Sequence, residues 1–214
     1  MKPTPIAIAL ALSAGLVAGA SGAIYEVQKD IDLYGNLNQN DIPGNIGASA
    51  CGPAAAVNSF VYLENAYPGF YNTSLVPVQG QDLDGDGDVD RYDDMIAAAQ
   101  TLISPGYMNT QVGVGTYHDD FIWGKYQYIE QAVPGMTVYE AQDYWDWTNH
   151  ARPDWVDPIY PTWDFLFTEL LDCEDVELLL SWSGGGHYVT LTSLYLDDAN
   201  NNGIIDFVED AYID

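Results

Sequence analysis

Two segments of the chain repeat one pattern of oxygen-bearing side chains around a glycine. The first runs from Asp82 to Asp93 as DLDGDGDVDRYD, and the second runs from Asp198 to Glu209 as DANNNGIIDFVE. In each segment Asp or Asn stands at positions 1, 3 and 5, glycine at position 6, an apolar residue at position 8 and a carboxylate at positions 9 and 12. This spacing predicts a loop that turns sharply and directs its oxygens toward one point, which strongly limits the local fold.

The pattern is typical of EF-hand-type calcium loops. The predicted ligands in the first loop are Asp82, Asp84, Asp86, the carbonyl group of Asp88, Asp90 and Asp93. Those in the second loop are Asp198, Asn200, Asn202, the carbonyl group of Ile204, Asp206 and Glu209. The first loop ends in Asp, as in dockerin modules, which it resembles, but the two loops stand much further apart here than in a dockerin. We expect calcium to be a permanent structural ion.

The chain is strongly acidic, with 32 Asp and Glu against 5 Lys and Arg and a formal charge of -27. Nucleic acids and anionic membrane surfaces are therefore poor partners, because both need clustered basic side chains. Solubility in a salty medium and ordinary surface solvation also explain acidic residues. The regular spacing of carboxylates in the two loops favours calcium as a partner in addition to either explanation.

The first 23 residues have the features of a secretory signal peptide. Lys2 precedes an apolar run from Ile6 to Val17, and small residues follow up to Ala23. The apolar run is too short to span a bilayer, and no later segment is long and apolar enough, so we expect no membrane span. We predict a secreted or extracytoplasmic protein in which residues 24–214 form a single domain.

A cysteine stands directly before a predicted helix. Residues Pro53 to Ala66 have apolar side chains at helical spacing and a proline in the first turn, and Cys51 precedes them in the segment NIGASACGPAAAVN. The free backbone N–H groups at a helix start stabilise a thiolate. Much later, GGGHYVTL places His187 where a predicted strand from Tyr188 to Leu196 begins. A nucleophile and a base in this order are compatible with a cysteine hydrolase.

With these two segments the chain resembles the papain-like cysteine peptidases, and within them the branch of the double-glycine leader peptidases that process bacteriocins. The resemblance implies Cys51 as nucleophile, His187 as general base, and the backbone N–H of Cys51 in the oxyanion hole. Asn45 stands where this family usually has a glutamine that donates to the oxyanion. The resemblance also implies a residue that orients the histidine; Asp214 is the predicted one, with Asp206 as the alternative.

The fold implied by this resemblance is α+β. It has an N-terminal helical half with the nucleophile at a helix start, and a C-terminal antiparallel sheet that carries the histidine. Further helices are predicted over Tyr92–Ile103, Lys125–Ala132 and Trp163–Cys173, and further strands over Val176–Trp182 and Ala211–Ile213. The segment from Ile24 to Gly47 is polar and predicted to be extended with little regular structure.

Several alternatives remain open from the sequence. Cys51 and Cys173 allow one disulfide, whereas a free Cys51 fits the helix start better and Cys173 is predicted to be a buried thiol. His118 and His150 have no evident partner and are predicted to lie on the surface. The many aromatic residues between Tyr107 and Pro161 favour core packing or a wrapped loop over a substrate groove.

We therefore expect a secreted, calcium-binding, papain-like cysteine peptidase or amide hydrolase that acts on a peptide or protein. A non-catalytic calcium-stabilised adhesion or assembly module with the same fold is the alternative from another class. A transferase of this fold is a third possibility.

Overall fold

The computed structural model describes residues 23–198 and 211–213. Within them the chain folds into four α-helices and small, mainly antiparallel sheets, which confirms the α+β class. The helices are α1 (Cys51–Ala66), α2 (Arg91–Ile103), α3 (His118–Ala132) and α4 (Trp163–Leu171). The strands are β1 (Ala23–Gln28), β2 (Ala141–Gln142), β3 (Val156–Asp157), β4 (Val176–Trp182), β5 (Gly185–Leu191), β6 (Ser193–Asp198) and β7 (Ala211–Ile213).

Helix α1 forms the centre of the larger of two hydrophobic clusters. Its first turn contains Pro53, whose missing N–H needs no partner there, and its small residues Ala54–Ala56 are all buried. Phe60 is fully buried and stacks on Tyr128 of α3 with ring centroids 5.2 Å apart. Because α1 is buried on almost every side, the elements that pack around it are positioned relative to its start, where Cys51 lies.

Helix α3 begins seven residues earlier than the sequence predicted, at His118 rather than Lys125. It approaches the loop before it closely at Gly124, where a Cβ atom would lie 2.5 Å from the carbonyl carbon of Tyr107. Glycine therefore permits a backbone contact that fixes α3 against this loop. The start of α3 also packs against the start of α1, since a Cβ on Gly52 would lie 3.2 Å from Phe121.

The β4–β5 hairpin is antiparallel and lies between α4 on one face and the α1–α3 cluster on the other. Its register pairs Leu179 with Tyr188 and Leu180 with His187. Leu179 and Tyr188 pack in the larger cluster, whereas Leu191 packs with α4 in the smaller one. Adjacent residues of a strand point to opposite faces, so each β5 side chain is assigned to one cluster or to solvent by its position.

Two expectations from the sequence are wrong. The segment expected to be one strand from Tyr188 to Leu196 divides at Thr192 into β5 and β6, and β6 pairs with β1 and β7 instead of β5. The N-terminal segment expected to be irregular contains β1, which pairs with β6 over Ala23–Gln28. Both differences have one cause: β1 has a partner that is remote in sequence. Of the helices in the described ranges, none is long and apolar enough to cross a membrane.

Candidate functional site

The first acidic loop brings three carboxylates together. Ligand oxygens of Asp82, Asp84 and Asp86 lie within 4.8 Å of one another, in an arrangement that can hold a metal ion. Gly87 has a φ of +100°, which lets the chain turn at the sixth position of the loop. Asp82 accepts hydrogen bonds from the backbone N–H groups of Gly85 and Gly87 at 2.7 and 3.2 Å. The chemistry of this donor set fits a hard cation that prefers oxygen ligands.

The last residues of this loop cap α2. Asp90 accepts a hydrogen bond from the N–H of Tyr92, and Asp93 accepts one from the N–H of Asp90, so the two form a capping box. Asp93 also accepts hydrogen bonds from Leu83 and Asp84, and backbone N–H donors to its carboxylate lower its pKa. In contrast, the pKa of Asp88 is raised, first by the negative charge of Asp86. The loop therefore concentrates negative charge that a cation would neutralise.

For the second predicted loop the structure describes its first residue only. Asp198 is the last residue of β6, is buried, and pairs with Ala23 of β1. The other predicted ligands lie outside the described residues: Asn200, Asn202, Ile204, Asp206 and Glu209. Asp214, the predicted orienting residue, also lies outside them. Their roles stay predictions from the sequence.

Cys51 is the first residue of α1, and its side chain is half-buried. Both cysteines are free. The prediction that Cys173 is a buried thiol on a helix is wrong, because it lies exposed in the turn after α4 with a φ of +65°. Tyr62 donates a hydrogen bond to the carbonyl of Cys173, and eleven residues of helix separate Tyr62 from Cys51, a rise of roughly 16 Å. The two thiols are thus held near opposite ends of α1.

Strand β5 crosses the start of α1. The residues of β5 that face α1 are Tyr188 and Thr190, and not the predicted base His187. Thr190 donates a hydrogen bond to the carbonyl of Ala55 in the second turn of α1. On the same face of β5, Tyr188 is buried, and burial raises its pKa well above the ordinary value, with Cys51 as the next largest cause. His187 therefore projects from the opposite face and is exposed. Within the described residues no hydrogen bond joins Cys51 to a histidine.

His118 and His150 are both paired with buried carboxylates, so the prediction that they are partnerless surface residues is wrong. His118 Nδ1 lies 2.6 Å from Asp143, and His150 Nε2 lies 2.8 Å from Asp120. Asp143 also accepts hydrogen bonds from Trp145 N–H and Trp147 Nε1. His118 is thus held in one orientation by a carboxylate that is itself fixed, at the start of α3.

The sequence offered little to reveal these pairs, because their members stand 25 and 30 residues apart in a segment without clear periodicity. Asn45, the predicted oxyanion donor, lies exposed in a turn before α1. The structure does not bring its side chain into a hydrogen bond with any described residue. Its role in the oxyanion hole stays a prediction.

A groove of about 400 Å³ lies between α3, the segment 137–145, α4 and β4. Aromatic side chains form much of its wall: Tyr126, Tyr144, Trp145, Trp155 and Tyr160. Tyr126 packs on Trp155 and Tyr144 on Tyr160, and all but Tyr126 lie in the loop between α3 and α4, as expected of a wrapped loop. His118, at the start of α3, and Tyr188 of β5 also line the groove. Its volume is in the range of sites that bind small molecules or short peptide segments.

Acidic side chains also border the groove. Lys125 of α3 binds Asp175 at 2.6 Å and Glu177 at 2.7 Å, and all three are largely buried. Burial acts to lower the pKa of Lys125, but attraction to the two carboxylates outweighs it and raises the pKa above its ordinary value. Glu169 has no such partner: burial first, and then the charge of Glu174, raise its pKa to about 7.

Replacing Glu169 with glutamine is expected to stabilise the protein at pH 8 and to have little effect at pH 5. A carboxyl whose pKa rises on folding is protonated in the folded protein at pH 5, and its ionisation destabilises the fold as the pH rises from about 4.5 toward 7. The neutral amide removes that loss. Urea unfolding of both proteins at the two pH values measures the effect, and an equal gain at pH 5 would contradict the assigned cause.

The fold and the site define an α+β protein with an acidic loop that could hold a metal ion and a free, half-buried cysteine at a helix start. Comparison with protein-family models, with curated proteins and with solved structures finds no match to this chain.

Proposed function

We propose that this chain is an exported, calcium-binding cysteine hydrolase of papain-like type that cleaves peptide or amide bonds, with Cys51 as its nucleophile. The observation that carries the proposal is the position of Cys51: a free, half-exposed thiol on the first residue of a long buried helix, beside the strand that carries His187. Backbone N–H groups at a helix start favour a thiolate and are available as oxyanion donors.

In the proposed reaction a histidine takes the proton of the Cys51 thiol, the sulfur forms a bond to the carbonyl carbon, and the amine leaves with that proton from the histidine as the carbon–nitrogen bond breaks. Water then cleaves the thioester and restores the thiol. His187 is the proposed base, since it adjoins Tyr188 on β5 and its exposed ring forms no hydrogen bond or ion pair with any described residue. Turning its ring toward Cys51 requires β5 to change its pairing at His187, which lies opposite Leu180 in the hairpin. Catalytic hydrogen bonds are often formed only when substrate is bound.

A peptide that carries an acyloxymethyl ketone is expected to label Cys51. The experiment uses Cys173→Ser as the matched background, because Cys173 is the more exposed thiol and its loss leaves α1 untouched. Mass spectrometry locates the adduct, and Cys51→Ala in the same background should show none. An undiminished adduct in the Cys51→Ala protein excludes the proposed nucleophile.

A non-catalytic calcium-stabilised adhesion or assembly module is the second candidate. The specific observation in its favour is the placement of His187 on the face of β5 opposite Tyr188. Iodoacetamide distinguishes the two proposals. In a hydrolase the Cys51 thiol should react faster than the exposed Cys173 thiol at pH 6, whereas in a non-catalytic module it should react no faster.

Calcium binding by the first loop is expected to stabilise the protein. Saturating calcium should raise the unfolding temperature by roughly 5 °C or more, because the ion binds the folded state and neutralises clustered carboxylates. Asp84→Asn should remove this response in part and lower the number of bound ions measured by calorimetry. Asp32→Asn, on an exposed carboxylate outside the loop, is the control.

We further propose that calcium in the second loop supports catalysis, since that loop separates His187 from Asp214 in sequence. EGTA should therefore lower turnover more than Asp84→Asn does. Equal turnover of the folded protein with and without calcium would restrict the ions to a stabilising role.

A further inference from the structure

The groove follows one edge of β4. Side chains from both faces of this strand border it: Leu178 belongs to the face that packs on α4, and Leu179 to the face that packs on the α1–α3 cluster. Neighbouring residues from opposite faces can border one groove only where it runs along the strand's edge. The other edge of β4 is occupied by β5.

No strand of the described ranges pairs with this edge of β4. A strand edge presents backbone N–H and C=O groups that can pair with an extended peptide, and peptide-binding domains commonly use such an edge. The groove opens onto this edge, so a peptide can reach it without displacing another strand. Main-chain pairing would give binding energy, and the groove walls would select the side chains.

The charge of the groove favours a cationic partner. Glu140, Glu169 and Glu174 border it, and none has a Lys or Arg partner within ion-pair distance in the described structure. The groove's one lysine, Lys125, is already bound to Asp175 and Glu177. The raised pKa values of Glu169 and Glu174, caused first by burial and then by neighbouring carboxylates, are consistent with this excess of negative charge.

The remaining wall is apolar and aromatic. Tyr126 and Trp155 pack with ring centroids 5.7 Å apart and present their rings to the groove together with Phe165. Such surfaces bind aliphatic side chains and also the faces of cationic groups. Tyr126 lies on α3 and Glu169 on α4, and these helices pack on opposite faces of the β4–β5 hairpin. In an extended peptide alternate side chains point to opposite sides, so one set can meet the aromatic rings on the α3 side while the other meets the carboxylate on the α4 side.

We propose that this groove binds an extended peptide in which lysine or arginine alternates with apolar residues, added as a strand to the free edge of β4. The proposal rests on the proposed function in one respect: peptides of this kind would be the substrates of the Cys51 hydrolase. His118 and Tyr188 also line the groove. Tyr188 stacks on Phe121, which lies against Gly52, the residue after Cys51, so a peptide in the groove would extend toward the proposed nucleophile.

Binding is tested with the Cys51→Ala protein, so that peptide is not consumed and failure of catalysis leaves the result unaffected. The probes are fluorescein-labelled pentapeptides of alternating lysine and valine, of alternating glutamate and valine, and a lysine–valine peptide N-methylated on alternate backbone nitrogens. We expect the lysine–valine peptide to bind at least about tenfold more tightly than either of the others in fluorescence anisotropy. Equal binding of the glutamate peptide would overturn the charge assignment, and equal binding of the N-methylated peptide would overturn strand addition.

Variants of the protein locate the site. Glu140→Gln combined with Glu174→Gln is expected to weaken lysine–valine binding about tenfold, because two of the unpartnered carboxylates are lost. Glu26→Gln, on the exposed face of β1 and outside the groove, is the matched control and should bind as the parent does. Unchanged affinity of a folded double variant would place the binding site elsewhere. If binding is found but the wild-type chain cleaves nothing, the groove proposal stands and the hydrolase proposal fails.

Discussion

Replacing His187 with alanine is expected to lower kcat/KM by about 100- to 10,000-fold, the usual contribution of a general base. The reason is its position at the glycine-rich end of β5, directly before Tyr188, which stacks on Phe121 next to the start of α1. The loss should fall mainly on kcat, because His187 does not border the groove that would bind the peptide. Hydrolysis of a fluorogenic lysine-containing peptide amide by the Cys173→Ser protein and its His187→Ala variant measures both parameters.

His118→Ala is the comparison that makes this result informative. His118 has an orienting carboxylate at 2.6 Å, as a catalytic histidine would, and α3 begins with it where α3 packs against the start of α1. If His118→Ala and Asp143→Asn abolish turnover while His187→Ala does not, the base is His118 and the assignment taken from the sequence is wrong. We expect His118→Ala to affect stability of the segment 143–147 more than kcat.

Replacing Lys125 with methionine is expected to destabilise the protein by about 3–5 kcal/mol. Methionine preserves much of the side-chain volume but leaves Asp175 and Glu177 as largely buried carboxylates without a counter-charge. The effect should be large because Lys125 also joins α3 to β4 across the groove. Urea unfolding at pH 7 measures the loss, which should shrink at pH 4 as the carboxyl groups become protonated.

A triple variant that removes all three charges distinguishes the contribution of the ion pairs to stability from the contribution of side-chain packing. Lys125→Met with Asp175→Asn and Glu177→Gln should recover most of the lost stability, since no buried charge then lacks a partner. If Lys125→Met alone lowers the free energy of unfolding by less than about 1 kcal/mol, the ion pairs of Lys125 contribute no more than solvent-exposed ion pairs do. In that case they would not hold α3 against the hairpin.

Local sequence patterns predicted those parts of the fold that depend on neighbouring residues. Helices α1 and α2 lie within two residues of their predicted bounds, and β4 and β7 match theirs. The first acidic loop gathers Asp82, Asp84 and Asp86 as its spacing indicated. These features rest on helical periodicity, a proline in a first turn, and oxygen ligands within a few residues of one another.

Features that join remote segments were missed. The ion pair of His118 with Asp143 and the triad of Lys125 with Asp175 and Glu177 each join residues at least 25 positions apart. No local preference of the chain encodes such a contact. The strand β1 escaped prediction for the same reason, because its partner β6 begins more than 160 residues after it in the chain.

The sequence by itself determined that Cys51 stands at the start of a buried helix and that an acidic loop precedes α2, because both depend on short-range order. Only the tertiary structure decided which side chain of β5 meets that helix and what borders the groove. A strand alternates its faces at every residue, so a difference of one position exchanges His187 for Tyr188. The packing of α4 on one face of the hairpin and of α1 and α3 on the other determined that Tyr188, and not His187, faces α1.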